Sequence, residues 1–242
     1  MAYELHYWPM IPGRGEFVRL ALESAGADYV DVARGEDGVE TMQRFMDDPA
    51  LARPPFACPF LVDGKRVIGQ TAAILLYLGP RLQLVPAGEA DRLWVHQIQL
   101  TLADLVTEVH DVHHPIASGL YYEDQKEEAL RRAGDFRANR LPKFLGWCEA
   151  VLARNRGNEE RDVPRMVGGR LTYADLSLFH VVDGLLYALP KATRRVLRKT
   201  PLVARLHAGV PRQRRLAAYL ASERRIPFNE QGIFRRYREL DG

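Results

Sequence analysis

Tyr7 closes an alternating, aromatic-rich stretch and precedes the Pro12-Gly13-Arg14 turn that opens a helical pattern. A phenol at the end of a strand can donate a hydrogen bond to a sulfur held at the top of a sheet, and the thiolate it supports is the reactive form of a thiol. Cys58-Pro59 begins a second apolar stretch. The residue before a proline is driven extended. A cis bond there would turn the Cys58 backbone N–H and C=O outward, where an extended peptide could pair like an added strand. Gln70-Thr71 follows a hairpin signal and starts a helical pattern. The free N–H groups and positive dipole end of such a start favour a carboxylate.

These groups need a scaffold, and the first 80 residues mix strand and helix signals. Residues 3–8 alternate and predict a strand. Phe17, Leu20, Ala21 and Ser24 have helical spacing over 16–25, with Gly26 as the C-cap. Residues 29–32 predict a short second strand. Residues 34–58 hold Gly38, Pro49, Pro54 and Pro55 and allow one helical turn at 39–46. Asp63-Gly64 between the apolar runs 60–62 and 66–68 predicts a β-hairpin, and 70–78 a helix. This order predicts an α/β layer with parallel and antiparallel pairings over residues 1–79. Gly79-Pro80 and Pro86-Ala87-Gly88 bracket a linker, 80–90. Helical patterns at 91–114, 122–154, 172–188, 192–208 and 211–222 predict an all-helical second domain over 91–242, with a Thr172-Tyr173-Ala174-Asp175 capping box.

The composition is ordinary for a globular chain of 242 residues, with 47% apolar and 27% charged residues. The only cysteines, Cys58 and Cys148, are far apart, so no disulfide framework is expected and a reducing compartment is the natural reading. The start, MAYELHYWPMIPGRGEF, lacks a signal-peptide pattern. The apolar stretch 176–189 is broken by His180, Asp183 and Gly184 and reads as a buried helix, not a membrane span. Between Lys191 and Arg225, eleven Lys or Arg face one acid, Glu223. Only Tyr219 among them is aromatic, so the run reads as a solvated helical face and not as a nucleic-acid surface. His110 and His114 share a helical face at i, i+4, which is metal-ligand spacing. No further ligand pair accompanies them, and a polar helix end or a pocket wall are the other readings. The aromatic tail at 226–237 either folds over the first domain as a lid or packs on the helices.

Tyr7-Trp8-Pro9, Gly13-Arg14, Cys58-Pro59-Phe60 and Gly69-Gln70-Thr71 together resemble the cytosolic glutathione transferases of the tyrosine type, closest to the sigma and pi classes. The capping box resembles a motif of the same family's helical domain. The resemblance implies a thioredoxin-like N-terminal domain followed by an all-α domain. It also implies a cytoplasmic, detoxifying homodimer that uses glutathione as co-substrate against a small hydrophobic electrophile or a peroxide, with no nucleic acid and no membrane. By position, Tyr7 would bond the glutathione sulfur and Cys58 would pair with its cysteinyl backbone. Pro59 would be the cis-proline, Gln70 and Thr71 would hold the γ-glutamyl end, and Arg14 would lie beside the thiol. Trp8 would border the site. Met10, His110 and His114 would line the acceptor pocket.

The chain departs from the family pattern in two places. The turn 9–13 is one residue longer, and no Trp-and-Lys pair precedes Pro59 to grip the glycyl carboxylate; Arg44, Phe45 and Arg53 are the substitutes. Trp8, Pro9 and Met10 stand where cysteine-type relatives place a nucleophile, which argues against thiol–disulfide chemistry by a protein cysteine. A catalytically weak glutathione-binding protein of the same fold is the alternative function, and a metal-dependent activity at His110 and His114 a third.

Overall fold

In the computed structural model, which describes residues 2–242, four strands form one sheet in the order β2-β1-β3-β4. β1 (Tyr3–His6) runs parallel to β2 (Tyr29–Asp31) and antiparallel to β3 (Phe60–Asp63), which pairs antiparallel with β4 (Arg66–Gly69). The mixed pairing is the one the element order predicts. The hairpin loop is Gly64-Lys65, one residue later than the Asp-Gly reading, because Asp63 pairs with Arg66.

Helices α1 (Gly15–Ala25) and α3 (Thr71–Arg81) cover one face of the sheet, with Leu5, Val18, Leu22, Leu61, Ile74 and Leu78 between them. Helix α2 (Gly38–Met46) covers the other, over Ala33, Met42, Phe60 and Val62. β3 is therefore buried on both faces, which its unbroken Phe-Leu-Val run requires. α3 runs through Gly79-Pro80, so the connector to the second half is shorter than the expected linker.

The second half is helical: α4 (Glu89–Asp111), α5 (Lys126–Asp135), α6 (Leu141–Arg154), α7 (Tyr173–Ala188), α8 (Pro190–Leu197), α9 (Pro201–Gly209) and α10 (Arg214–Leu220). α7 is apolar nearly all round and runs through the centre, as a helix without a polar face must. Its start is held by Asp175, which accepts from Thr172 N and Thr172 Oγ1 at 2.7 and 2.8 Å and from Met166 N at 2.7 Å. No described helix is long and apolar enough to cross a membrane.

The tail folds back across the boundary between the halves. Phe228 and Phe234 pack on His180 of α7, and the Asn229 side chain donates to the Met10 carbonyl at 2.7 Å. The basic run is only partly a solvated face. Arg225 pairs with Glu16 and Asp183, Arg224 with Glu23, and Arg215 donates to the Ala25 carbonyl, so its C-terminal end ties α10 to the first domain.

Candidate functional site

A groove of about 530 Å³ opens beside the first turn of α3. Its walls include Arg14, Arg53, Cys58, Pro59, Gln70 and Thr71, with the 54–57 loop as one lip. A second cavity of about 500 Å³ shares Arg14, Gln70 and Thr71 and continues between α3 and α4 past Leu76, His96 and Leu100. Two stretches separated by the whole of α1 and α2 in sequence thus meet at one depression. They meet because β1 and β3 are neighbours, which brings the end of β1 beside the start of β3.

The Cys58–Pro59 peptide is cis, and the ladder of β3 begins one residue later, at Phe60. Gln70 sits just before α3 with φ +64° and ψ +118°. A non-glycine residue in such a conformation costs about 1–3 kcal/mol and persists where its surroundings hold it. It leaves the first N–H groups of α3 facing the groove, where they favour an anion. Thr71 Oγ1 is buried and finds no hydrogen-bond partner among the described residues, so the site carries an unmet polar group at the same helix start. Arg14 and Arg53 have no acidic partner among the described residues, and both line the groove. The groove is therefore cationic and suits a carboxylate ligand.

Tyr7 lines neither cavity and lies behind Arg14, which lines both. Its side chain is only 4% exposed. The ring is covered by the Gly13-Arg14-Gly15 turn, and a β-carbon at Gly13 would sit 2.2 Å from Tyr7 Oη. The Arg14 backbone N–H donates to Tyr7 Oη at 3.0 Å. No described residue accepts the hydroxyl's own proton, so Tyr7 keeps one donor free. Burial pushes the phenol above its ordinary value, while the Arg14 N–H and guanidinium pull it back. Burial also raises the Cys58 thiol against the pull of its own and the Trp8 backbone N–H groups, which keeps that thiol protonated.

Trp8 and Met10 are exposed at the end of β1, Met10 at 62%. Arg44 lies on the exposed side of α2 and does not line the groove, whereas Arg53 does. Phe45, half-buried, stacks on Phe60 and lies tilted against His6 beside the core under α2. The end of α4 carries three histidines in contact, His110, His113 and His114, with ring centroids 4.7–5.2 Å apart. His114 is buried. Burial lowers His110 to about 4 and His113 to about 3, so all are neutral near pH 7. No group of three or more His, Cys, Asp or Glu among the described residues is placed to hold a metal.

Sequence reasoning left out His113 and His180. His113 Nε2 lies 2.7 Å from the Ile233 carbonyl of the tail, and His180 Nε2 lies 3.0 Å from the Gly13 carbonyl. Their partners are 120 and 167 residues away, beyond the reach of any local pattern.

Residues 110–223 match the family profile described as "Glutathione S-transferase, C-terminal domain". The chain is 27% identical over 237 residues to glutathione S-transferase 2 of Onchocerca volvulus, covering 96% of this chain and 99% of that one. It is 25% identical over 184 residues to a glutathione S-transferase of Plasmodium falciparum, covering 75% and 80%. The solved pi-class glutathione S-transferase of Onchocerca volvulus superposes with a TM-score of 0.69 at 23% identity, over 90% of this chain and 92% of that one. That likeness establishes the fold: a thioredoxin-like α/β half followed by a helical half.

Proposed function

We propose, from the chain's membership of the glutathione S-transferase family, that it binds glutathione in the groove at the start of α3 and activates its thiol with Tyr7. The observation that carries this reading is the cationic groove at the α3 N-terminus, one of whose walls, Arg14, is hydrogen-bonded through its backbone N–H to a phenol whose own proton has no acceptor. Gln70, Thr71 and the first N–H groups of α3 would take the γ-glutamyl end, and the unmet Thr71 hydroxyl suits that role. The Cys58 backbone would pair with the cysteinyl unit. Arg53 would take the glycyl carboxylate, because it lines the groove and Arg44 does not. Glutathione supplies the sulfur nucleophile. An isolated thiol titrates near 8.5, so little thiolate exists at neutral pH. Tyr7 donates its free O–H to that sulfur, and the Arg14 guanidinium beside it adds positive charge. Both favour the thiolate, which then attacks a small electrophile or a peroxide.

Several exposed apolar residues, among them Leu76, Leu93 and Leu100, lie on adjoining faces of α3 and α4. They suit a twofold homodimer packed through those helices. A cytoplasmic setting fits the reduced cysteines.

Tyr7→Phe tests the assignment. The O–H is lost while the ring still fills its place under the turn. Turnover of a generic aromatic electrophile should fall about tenfold to a hundredfold near pH 7, each pKa unit on the thiol being a factor of ten. Glutathione affinity should stay within a few-fold. An unchanged rate would remove Tyr7 from the mechanism and leave a glutathione-binding protein of the same fold.

A further inference from the structure

The polar group nearest the Tyr7 hydroxyl comes from the Gly13–Arg14 peptide, and both ends of that peptide unit are engaged. Its N–H, on Arg14, donates to Tyr7 Oη at 3.0 Å. Its C=O, on Gly13, lies 3.0 Å from His180 Nε2 on α7. One peptide plane therefore joins the central helix of the second half to the phenol of the first.

The tautomer of His180 follows from its surroundings. The Gly13 oxygen can only accept, so Nε2 must carry the proton. Nδ1 is buried with no partner, so it carries none, and the ring is neutral. Burial holds it so, pushing the imidazole down to about 3, with Arg225 adding to the effect. The ring is fixed by Phe17 of α1, edge-on at 4.7 Å, by Phe228, stacked at 5.8 Å, and by Phe234, edge-on at 5.5 Å. The charged groups acting on it are Arg19 of α1, Asp183 of α7 and Arg225 of the segment after α10. Those acting on Tyr7 are Arg14, Arg19 and the Cys58 thiol.

We infer that His180 is a positioning residue for sulfur activation: by donating to the Gly13 carbonyl it aims and polarises the Arg14 N–H that Tyr7 accepts. A carbonyl that accepts a hydrogen bond makes the N–H of its own peptide a stronger donor, by about 10–30% per bond. A phenol oxygen that accepts a stronger bond releases its proton more readily to an acceptor of its own. The Gly13 turn also needs an anchor. With φ +41° it lies in the left-handed region, and while the Pro12 carbonyl before it is held by the Glu16 N–H at 2.9 Å, the Gly13 carbonyl has His180 as its partner. This inference rests on the reading of Tyr7 as the group that meets sulfur.

The experiment titrates Tyr7 by NMR with ring-labelled tyrosine in the unliganded protein, assigning its signal with Tyr7→Phe, and titrates bound glutathione by thiolate absorbance. His180→Leu should raise both pKa values by about half a unit, close to a threefold loss of thiolate at fixed pH. His180→Gln keeps an amide donor near the Nε2 position and should restore most of the shift. A folded His180→Leu protein with unchanged titrations overturns the inference. Unchanged turnover in Tyr7→Phe overturns the underlying reading instead, and the Tyr7 titration without glutathione separates the two failures. If His180→Leu does not fold, imidazole nitrogen shifts in the wild-type protein decide: a proton on Nε2 supports the relay, and a proton on Nδ1 sinks it.

Discussion

Arg53 stands on the groove wall in a stretch that offers no secondary structure. A charge-assisted hydrogen bond is worth about 1.5–3 kcal/mol, and solvent exposure lowers that. Arg53→Ala should weaken glutathione binding about tenfold by calorimetry, while Arg44→Ala should stay within twofold. The reverse order would move the glycyl end to the other side of the loop. Residue types alone could not separate these arginines, because both lie in the proline-broken span 34–58. The positions of Tyr7, Cys58-Pro59 and Gln70-Thr71 were legible because each depends on a neighbour one or two residues away: a strand end, a proline, a helix start. The backbone strain at Gln70 was not legible, since glutamine carries no left-handed preference. Nor was His180, whose partner comes from another domain.

Helix α1 shows how an element can hide its role. Phe17, Leu20 and Ala21 have helical spacing and predict one apolar stripe. In the structure every residue from Gly15 to Glu23 is buried. Val18 and Leu22 face the sheet, and Phe17, Leu20 and Ala21 face the helical half. Glu16 and Arg19 look like surface residues in sequence, yet both are enclosed because the second half covers them. The pattern 192–208 reads as one helix and is two, broken where Pro201 denies a backbone donor and starts α9. The pattern 122–154 is interrupted by a wider helical turn at Phe136–Arg140, just before Pro142, whose ring and missing N–H disturb the bond to the carbonyl four residues back. The tail is held by close approach: a β-carbon at Gly184 of α7 would sit 2.4 Å from the Phe234 ring. Gly184→Ala should therefore lever the tail off α7. Limited proteolysis should cut within 226–237 several-fold faster than in the wild type, with the helix content unchanged by circular dichroism. Equal cutting rates would mean that Phe234 has room to yield.

Across the molecule, buried histidines dominate the response to mild acid. His113 and His180 are pushed to about 3 by burial, whereas an unfolded histidine titrates near 6.5. The folded state keeps them neutral, and the unfolded state binds their protons. Stability is thus complete above about pH 6.5 and falls as pH drops toward 3, each histidine weakening the folding equilibrium about tenfold per pH unit. The enclosed Glu16 and Asp175 carboxyls, raised by burial, act in the opposite sense, and Glu108, held low by its bond to Arg140, is lost only in stronger acid. Urea midpoints measured across that window should fall steeply in the wild type and more shallowly in His180→Gln. A flat wild-type profile would show that the rings take up protons without unfolding.

The enclosed Glu16 carboxylate receives the Tyr219 hydroxyl at 2.9 and 3.0 Å and pairs with Arg225 at 2.6 Å. Both partners lie some two hundred positions downstream. A ribosome makes the α/β half first, and early domains commonly fold while the rest of a chain is still being translated. Until the second half covers it, Glu16 of a nascent first half faces solvent with Arg19, 3.7 Å away, as its partner, and the apolar boundary face of α1 around it stays open. The seam over α1 closes only when the segment carrying Tyr219 and Arg225 has left the exit tunnel, so the two halves lock together at the end of synthesis.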